Sequence, residues 1–293
     1  MRRAQAKHLN GKPKIGFLIC TATTAAAIVA CVCLLLHRSG DRYALDRQMA
    51  ELRGIKNTAV VSETFPVPTA QANAAAKDIP DGAAQTAASI LPEYRALYEM
   101  NPDLIGWLTI DGTQIDYPVM QTPDDEEYYL HLGFDREPNS NGCLIMDTDS
   151  AAGVGTAADG YVDGAAPSTN LIIHGHTMKS GAMFGGLQSY ADASYGAAHS
   201  VIRFDSLYEH RTYELIAAFY SQVYYTYEDV FKFYNFFQAD TQAEFDDWIE
   251  NITALSLYDT GVTASFGDEF ITLSCCSYQT EDGRFVVVGK RVA

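Results

Sequence analysis

The stretch FITLSCCSYQTEDGRFVVVGKR, residues 270–291, holds two apolar runs, FITLS and RFVVVGK, separated by polar residues that include Asp282-Gly283. Apolar runs rich in Val, Ile and Phe, joined through a Gly-bearing turn, read as two strands of a hairpin. Period-two alternation puts Ile271, Leu273 and Cys275 on one face and Thr272, Ser274 and Cys276 on the other. The first face is apolar, so Cys275 is expected to point into a core and Cys276 to share the polar side with Ser274. Arg284 opens the second strand, eight residues beyond Cys276, where a hairpin brings its guanidinium beside that thiol.

Working outward, six more short apolar or alternating runs precede this pair: 105–110, 114–120, 143–147, 170–174, 200–205 and 212–220. Gly, Asp, Asn and Pro punctuate them, as at Asp111-Gly112 and Asn139 to Gly142. Eight strands with little helix between them predict a mainly β fold, either a barrel or a sandwich. Two helices stand beside them. Leu91, Tyr94, Leu97 and Tyr98 share one helical face ahead of Asn101-Pro102, and Phe245, Trp248, Ile249 and Ile252 recur at i, i+3, i+4 and i+7 behind a Thr241/Glu244 capping box. Trp248 reads as a core residue that packs its helix on the strands.

The N-terminal third is organised differently. Residues 15–36 carry no charge over 22 positions, enough to cross a hydrocarbon core about 30 Å thick. The run is longer than a cleaved signal's apolar segment and lacks a clear small-residue cleavage site. It reads as an uncleaved single-pass anchor. Arg2, Arg3, Lys7, Lys12 and Lys14 lie ahead of it, which orients the N-terminus to the cytoplasm and the body to the outside. The expected organisation is a basic tail (1–14), the anchor (15–36), a juxtamembrane helix and Ala/Thr/Pro-rich linker (37–90), and a catalytic domain (91–293). Leu45, Met49 and Leu52 mark the helix.

The formal charge of -17 understates the acidity of the body, because 15 of the 20 basic side chains remain there with all 37 acidic ones. Such a surface repels phosphate backbones, which argues against nucleic acid as a partner. Only Cys143, Cys275 and Cys276 follow the anchor, too few for a disulfide framework. An exported free thiol invites a catalytic reading.

A thiol nucleophile needs a base, since a free cysteine is mostly protonated at neutral pH. His174 and His176 follow directly on an apolar strand, in LIIHGHTMKSGAMF, and a strand end leading into a Gly-bearing loop is where scaffolds display reactive groups. Arg284 suits a donor to the oxyanion formed when a thiolate attacks a carbonyl. Two other readings of these residues stay open. His174, His176, Cys275 and Cys276 are the residue types of a zinc site, though adjacent cysteines lack C-x-x-C spacing. The cysteine pair is also able to form a strained vicinal disulfide. Cys143, inside CLIMD, reads as a small buried hydrophobe.

The segments LPEYRALYEMNPDLIGWLTIDGTQIDYPVMQ, EEYYLHLGFD, NLIIHGHTMKSGAMFGGL, SLYDTGVTASFGDEFITLSCCSY and GRFVVVGKR together resemble the class B sortases of Gram-positive bacteria, in order and from about Leu91 to the C-terminus. The resemblance implies a closed eight-stranded barrel with N-terminal helices and an extra helix before the last strands. It also implies catalytic roles for His176, Cys276 and Arg284, with Ser274 and His174 beside them as substrate-binding candidates. The family usually has Thr before the nucleophile and Tyr two residues before the histidine, where this chain has Cys275 and His174. The implied activity is cysteine transpeptidation of peptidase type (EC 3.4.22). A C-terminal sorting signal is cut after Thr through a thioester and joined to an amine of a peptidoglycan precursor or a pilin lysine, with no metal or organic cofactor.

Two competing functions are weighed against it. Papain-like and related wall hydrolases place Cys before His, the reverse of the order here. A degenerate, non-enzymatic surface-binding protein would have lost one of the three key residues.

Overall fold

The computed structural model describes residues 40, 42–58, 88–162 and 165–293. Its organising element is the hairpin read above. Strands β9 (Phe270–Cys276) and β10 (Gly283–Arg291) pair antiparallel from Lys290 opposite Phe270 to Arg284 opposite Cys276. The remaining barrel strands are β1 (Leu104–Thr109), β2 (Asp116–Met120), β3 (Leu144–Met146), β6 (Asn170–Gly175), β7 (Val201–Ser206) and β8 (His210–Gln222). They close in the order β1-β2-β3-β6-β9-β10-β8-β7, and a two-stranded ribbon of β4 (Gly155–Thr156) and β5 (Gly160–Tyr161) lies outside it. The choice between barrel and sandwich is thus settled for the barrel, which leaves no edge strand in that sheet.

The two faces of the hairpin bury against different partners, which is why RFVVVGK is continuously apolar rather than alternating. Ile271, Leu273, Cys275, Phe285 and Val287 belong to the larger core. Phe270, Val286 and Val288 pack with Phe245, Trp248 and Ile252 of helix α4 (Gln242–Leu255). The Thr241/Glu244 capping box of α4 is formed, and Trp248 is buried as read. Helix α2 (Pro92–Met100) starts on proline and buries Tyr94 and Leu97, and the short helix α3 (Ala193–Ala198) is capped by the Asp192 side chain.

Residues 42–58 form helix α1. Leu45, Met49 and Leu52 are buried in the same core as the barrel interior, so the compact unit runs from Leu45 to Ala293 and takes in a helix expected to stand outside it. The basic tail 1–14, the apolar run 15–36 and the linker 59–87 fall outside the described residues. Among the described residues no helix is long and apolar enough to cross a membrane.

Candidate active site

Three neighbouring strand ends build the site. β6 runs parallel to β9 with His174 opposite Ser274 and Gly175 opposite Cys275, and β10 sets Arg284 opposite Cys276. The His-Gly-His sequence has a steric reason. A Cβ at Gly175 would lie 2.6 Å from both Leu144 Cδ2 and Phe184 Cδ2, so the strand passes between them only without a side chain. Gly175 faces inward, which turns its two histidine neighbours the other way.

Alternation separates the cysteines as read. Cys275 is 2% exposed in the core and Cys276 is exposed. Burial pushes the Cys275 thiol up to about 11, and burial pushes Cys143 up to about 12, so both are held as thiols at neutral pH. All three cysteines are free. With Cys275 inside the barrel and Cys276 outside, the four donors of the zinc reading do not converge on one point. Ser274 departs from the simple polar-side picture, since it is 1% exposed and its hydroxyl has no hydrogen-bond partner among the described residues.

The end of β9 is pinned from two loops. Thr177 donates its hydroxyl to the Cys276 carbonyl at 2.6 Å, and Gln188 Nε2 donates to the same oxygen at 3.2 Å. Neither contact was read from the sequence. Thr177 sat inside the quoted HGHT motif, whereas Gln188 lies in a 3₁₀ turn, Leu187–Ala191, with no motif of its own.

His176 donates from Nε2 to the Leu130 carbonyl at 2.8 Å and stacks on His131 at 5.5 Å between ring centres. A carbonyl only accepts, so Nε2 carries a proton and Nδ1 is the nitrogen left to exchange one. Arg284 is half-buried, with Nη1 donating to the carbonyls of Asp282 and Gly283 at 3.2 and 3.1 Å. Asp282 takes a positive φ of 52°, the tight turn that returns the chain in register.

His174 joins a different set. Its Nε2 lies 3.3 Å from Asp147 Oδ2, and one donor atom from each of His174, Asp147 and Glu126 lies within 4.8 Å of the others. This trio is a donor set able to hold a cation. Burial raises Asp147, but the hydrogen bonds from His174 and the Asp149 N–H outweigh it and hold the carboxylate below its ordinary range. Partial burial pushes Glu126 up, against the Thr148 N–H that its carboxylate accepts. Leu130, His174, His176, Ser274, Cys276 and Arg284 line one groove of about 430 Å³, with Val223 and Tyr234 forming a further wall.

Comparison with known proteins bears on what the groove serves. Over 202 residues the chain is 34% identical to sortase B of Listeria monocytogenes, covering 68% of this chain and 74% of that one. The chain belongs to the class B sortases. Sortase B of Staphylococcus aureus is 27% identical over 205 residues, 69% of this chain and 75% of the relative. The crystal structure of sortase B from Bacillus anthracis in complex with AAEK1 superposes with a TM-score of 0.63 at 26% identity, over 86% of this sortase and 98% of that chain. No family model matches. Membership makes the protein a cysteine transpeptidase of the kind that attaches proteins to the cell wall, and the closed barrel with its added helix is the sortase B architecture.

Proposed function

We propose that Cys276 is the nucleophile, His176 the general acid and base, and Arg284 the oxyanion donor, in a reaction that cuts a C-terminal sorting signal after Thr and passes the protein to an amine. The Cys276 thiolate attacks the scissile carbonyl while Arg284 meets the charge that develops on its oxygen. The C–N bond breaks as His176 gives a proton to the departing amine, leaving a thioester. His176 then takes a proton from the incoming amine, the new C–N bond forms, and Cys276 leaves as thiolate. The acceptor is an amine of a peptidoglycan precursor or a pilin lysine. His174 and Ser274 contact the bound signal.

The observation that carries this reading is the register of β6, β9 and β10, which sets the Cys276–Arg284 pair beside Gly175 and so beside His176 on one groove. We further propose that residues 15–36 anchor the enzyme as a single span, with the N-terminus in the cytoplasm and the barrel at the cell surface.

The test incubates the 293-residue chain, in detergent, with fluorogenic sorting-motif peptides, with and without an amine. Cys276→Ala is expected to lower cleavage by about a thousandfold or more. Cys275→Ala is expected to keep turnover while stability falls by about 1 kcal/mol. Cleavage that survives Cys276→Ala would sink the nucleophile assignment, and hydrolysed product alone with every amine would favour a peptidase.

A further inference from the structure

Cys276, His176 and Arg284 are not tied to one another by their own side chains. Among the described residues His176 bonds to the Leu130 carbonyl and Arg284 to the carbonyls of Asp282 and Gly283, so the backbone sets the spacing of the three groups. Cys276 sits where that backbone runs out of ladder. It ends β9 with Arg284 of β10 on one side, while the pairing with β6 stops one residue earlier, at Gly175 opposite Cys275. Two side chains from the segment after β6 take over there. Thr177 and Gln188 both donate to the Cys276 carbonyl, at 2.6 and 3.2 Å.

Each donor is launched from fixed backbone. Thr177 follows His176 directly, and the turn beyond it is closed by the Phe184 N–H on the His176 carbonyl at 3.0 Å and the Gly181 N–H on the Met178 carbonyl at 2.9 Å. A Cβ at Gly185 would lie 2.2 Å from the Met178 carbonyl oxygen, and Gly181 and Met183 take positive φ of 85° and 50°, so the turn is too tight to drift. Gln188 projects from the 3₁₀ turn whose Leu187 and Tyr190 are fully buried. Burial raises the Cys275 thiol and the Thr177 hydroxyl opposes it, which puts that one hydroxyl between the buried sulfur and the carbonyl of the next residue.

We propose that Thr177 and Gln188 are positioning residues for the transpeptidation: by holding the Cys276 carbonyl they fix the distance of the thiol from His176 and from the carbonyl it attacks. The inference rests on the assignment of Cys276 as nucleophile. Neither side chain is among those lining the groove, so both act through Cys276 rather than on the signal. Of the two, the Thr177 bond ties base to nucleophile. Its hydroxyl belongs to the residue next to His176 and its acceptor to Cys276 itself, 99 positions along the chain. A reacting group misplaced by about 1 Å costs about a hundredfold in rate, so the loss of one of two tethers is expected to cost less than that.

The experiment uses the 293-residue chain in detergent, with the library peptide that gives the fastest Cys276-dependent cleavage. Values of kcat and KM are measured per folded molecule, the folded fraction being read from near-ultraviolet circular dichroism. Thr177→Val keeps the shape and loses the donor, so kcat is expected to fall about tenfold while KM moves less than about twofold. Thr177→Ser keeps the hydroxyl and is expected to return kcat to within about threefold of wild type, a rescue that lost packing would not show. Gln188→Met removes the longer bond and is expected to cost about threefold in kcat, and the double variant Thr177→Val/Gln188→Met at least the product of the two losses, because the carbonyl then has neither donor. An unchanged kcat in Thr177→Val would overturn the proposal, as would equal losses in Thr177→Val and Thr177→Ser. A rise in KM at constant kcat would overturn it in favour of direct contact with the peptide. Where Thr177→Val fails to fold, Gln188→Met decides alone, an unchanged kcat overturning the proposal and a loss in kcat at constant KM bearing it out. Cleavage that survives Cys276→Ala in the same assay would bring down the nucleophile assignment and the positioning role with it, whereas failure of the positioning role alone leaves Cys276→Ala inactive.

Discussion

Among the described residues, the Glu93–Asp205–His210 and Glu126–Asp147–His174 trios combine the same side chains and are built for opposite ends. At the α1 side of the barrel, His210 reaches Glu93 Oε1 through Nε2 at 3.2 Å and Asp205 Oδ1 through Nδ1 at 3.0 Å. Tyr94, fully buried, donates its hydroxyl to the other Asp205 oxygen. Lys56 adds a positive charge nearby, its ammonium 4.6 Å from the centre of the Trp107 ring, and burial lowers its pKa against the pull of Asp116, Asp205 and Glu93. In the groove, His174 is engaged among the described residues through Nε2 alone, Glu126 is exposed, and the set borders a cavity with an unpartnered hydroxyl beneath it. The same three residue types hold a helix and a strand together where both imidazole nitrogens and both carboxylates are engaged by the protein. They become a candidate binding site where part of that capacity is left for a visitor.

The largest expected effect on stability tests the closed trio. Asp205→Ala removes the acceptor of a fully buried tyrosine hydroxyl and one of the two partners of His210, so it is expected to cost about 2 kcal/mol of stability. For a domain of this size the melting temperature falls by about 4–8 °C, with turnover per folded molecule unchanged. A drop below about 1 °C in a thermal melt would mean the rear trio is as loosely held as the groove one. Ser274→Ala probes the open side with the opposite sign. It deletes a buried hydroxyl that no described residue satisfies, so the free enzyme is expected to gain up to about 1 kcal/mol, read as a higher midpoint in urea at unchanged slope. A loss of stability would show that the hydroxyl already has a partner, ordered water included.

How much of this was legible in the sequence follows the range of the interactions. The eight barrel strands were visible because each is a local apolar run bounded by turn residues, and the opposite fates of Cys275 and Cys276 because strand alternation has a period of exactly two residues. The strand pattern alone left barrel and sandwich open, and closure was implied by the family resemblance, since it depends on β6 pairing parallel with β9 across about a hundred intervening residues. Helix α1 announced its apolar face through Leu45, Met49 and Leu52, but periodicity does not say what covers such a face. It took the structure to join it to the barrel core. In the site, His176, Cys276 and Arg284 lay in recognisable motifs. Glu126 and Asp147 did not, because their meaning arises only when loops 21 and 27 residues apart from one another and from His174 fold together. Thr177 and Gln188, which both hold the Cys276 carbonyl, were hidden for the same reason.

The smallest effect sharpens the comparison through pH. The hydrogen bond to Asp205 is the main cause that raises His210 above its ordinary value, with the Asp205 and Glu93 charges adding to it and burial and Lys56 opposing. A histidine whose folded value is raised contributes stability that is fully present below its unfolded value, near 6.5, and is lost as pH climbs through the folded value above it. The side chain is 61% exposed, so solvent screening keeps the contribution below about 1 kcal/mol. The difference in urea midpoint between wild type and His210→Gln is therefore expected to be largest near pH 6 and to shrink by pH 9. A difference that stays the same from pH 6 to pH 9 would mean that the bond to Asp205 does not hold the His210 proton, and that the rear trio is closed by its geometry alone.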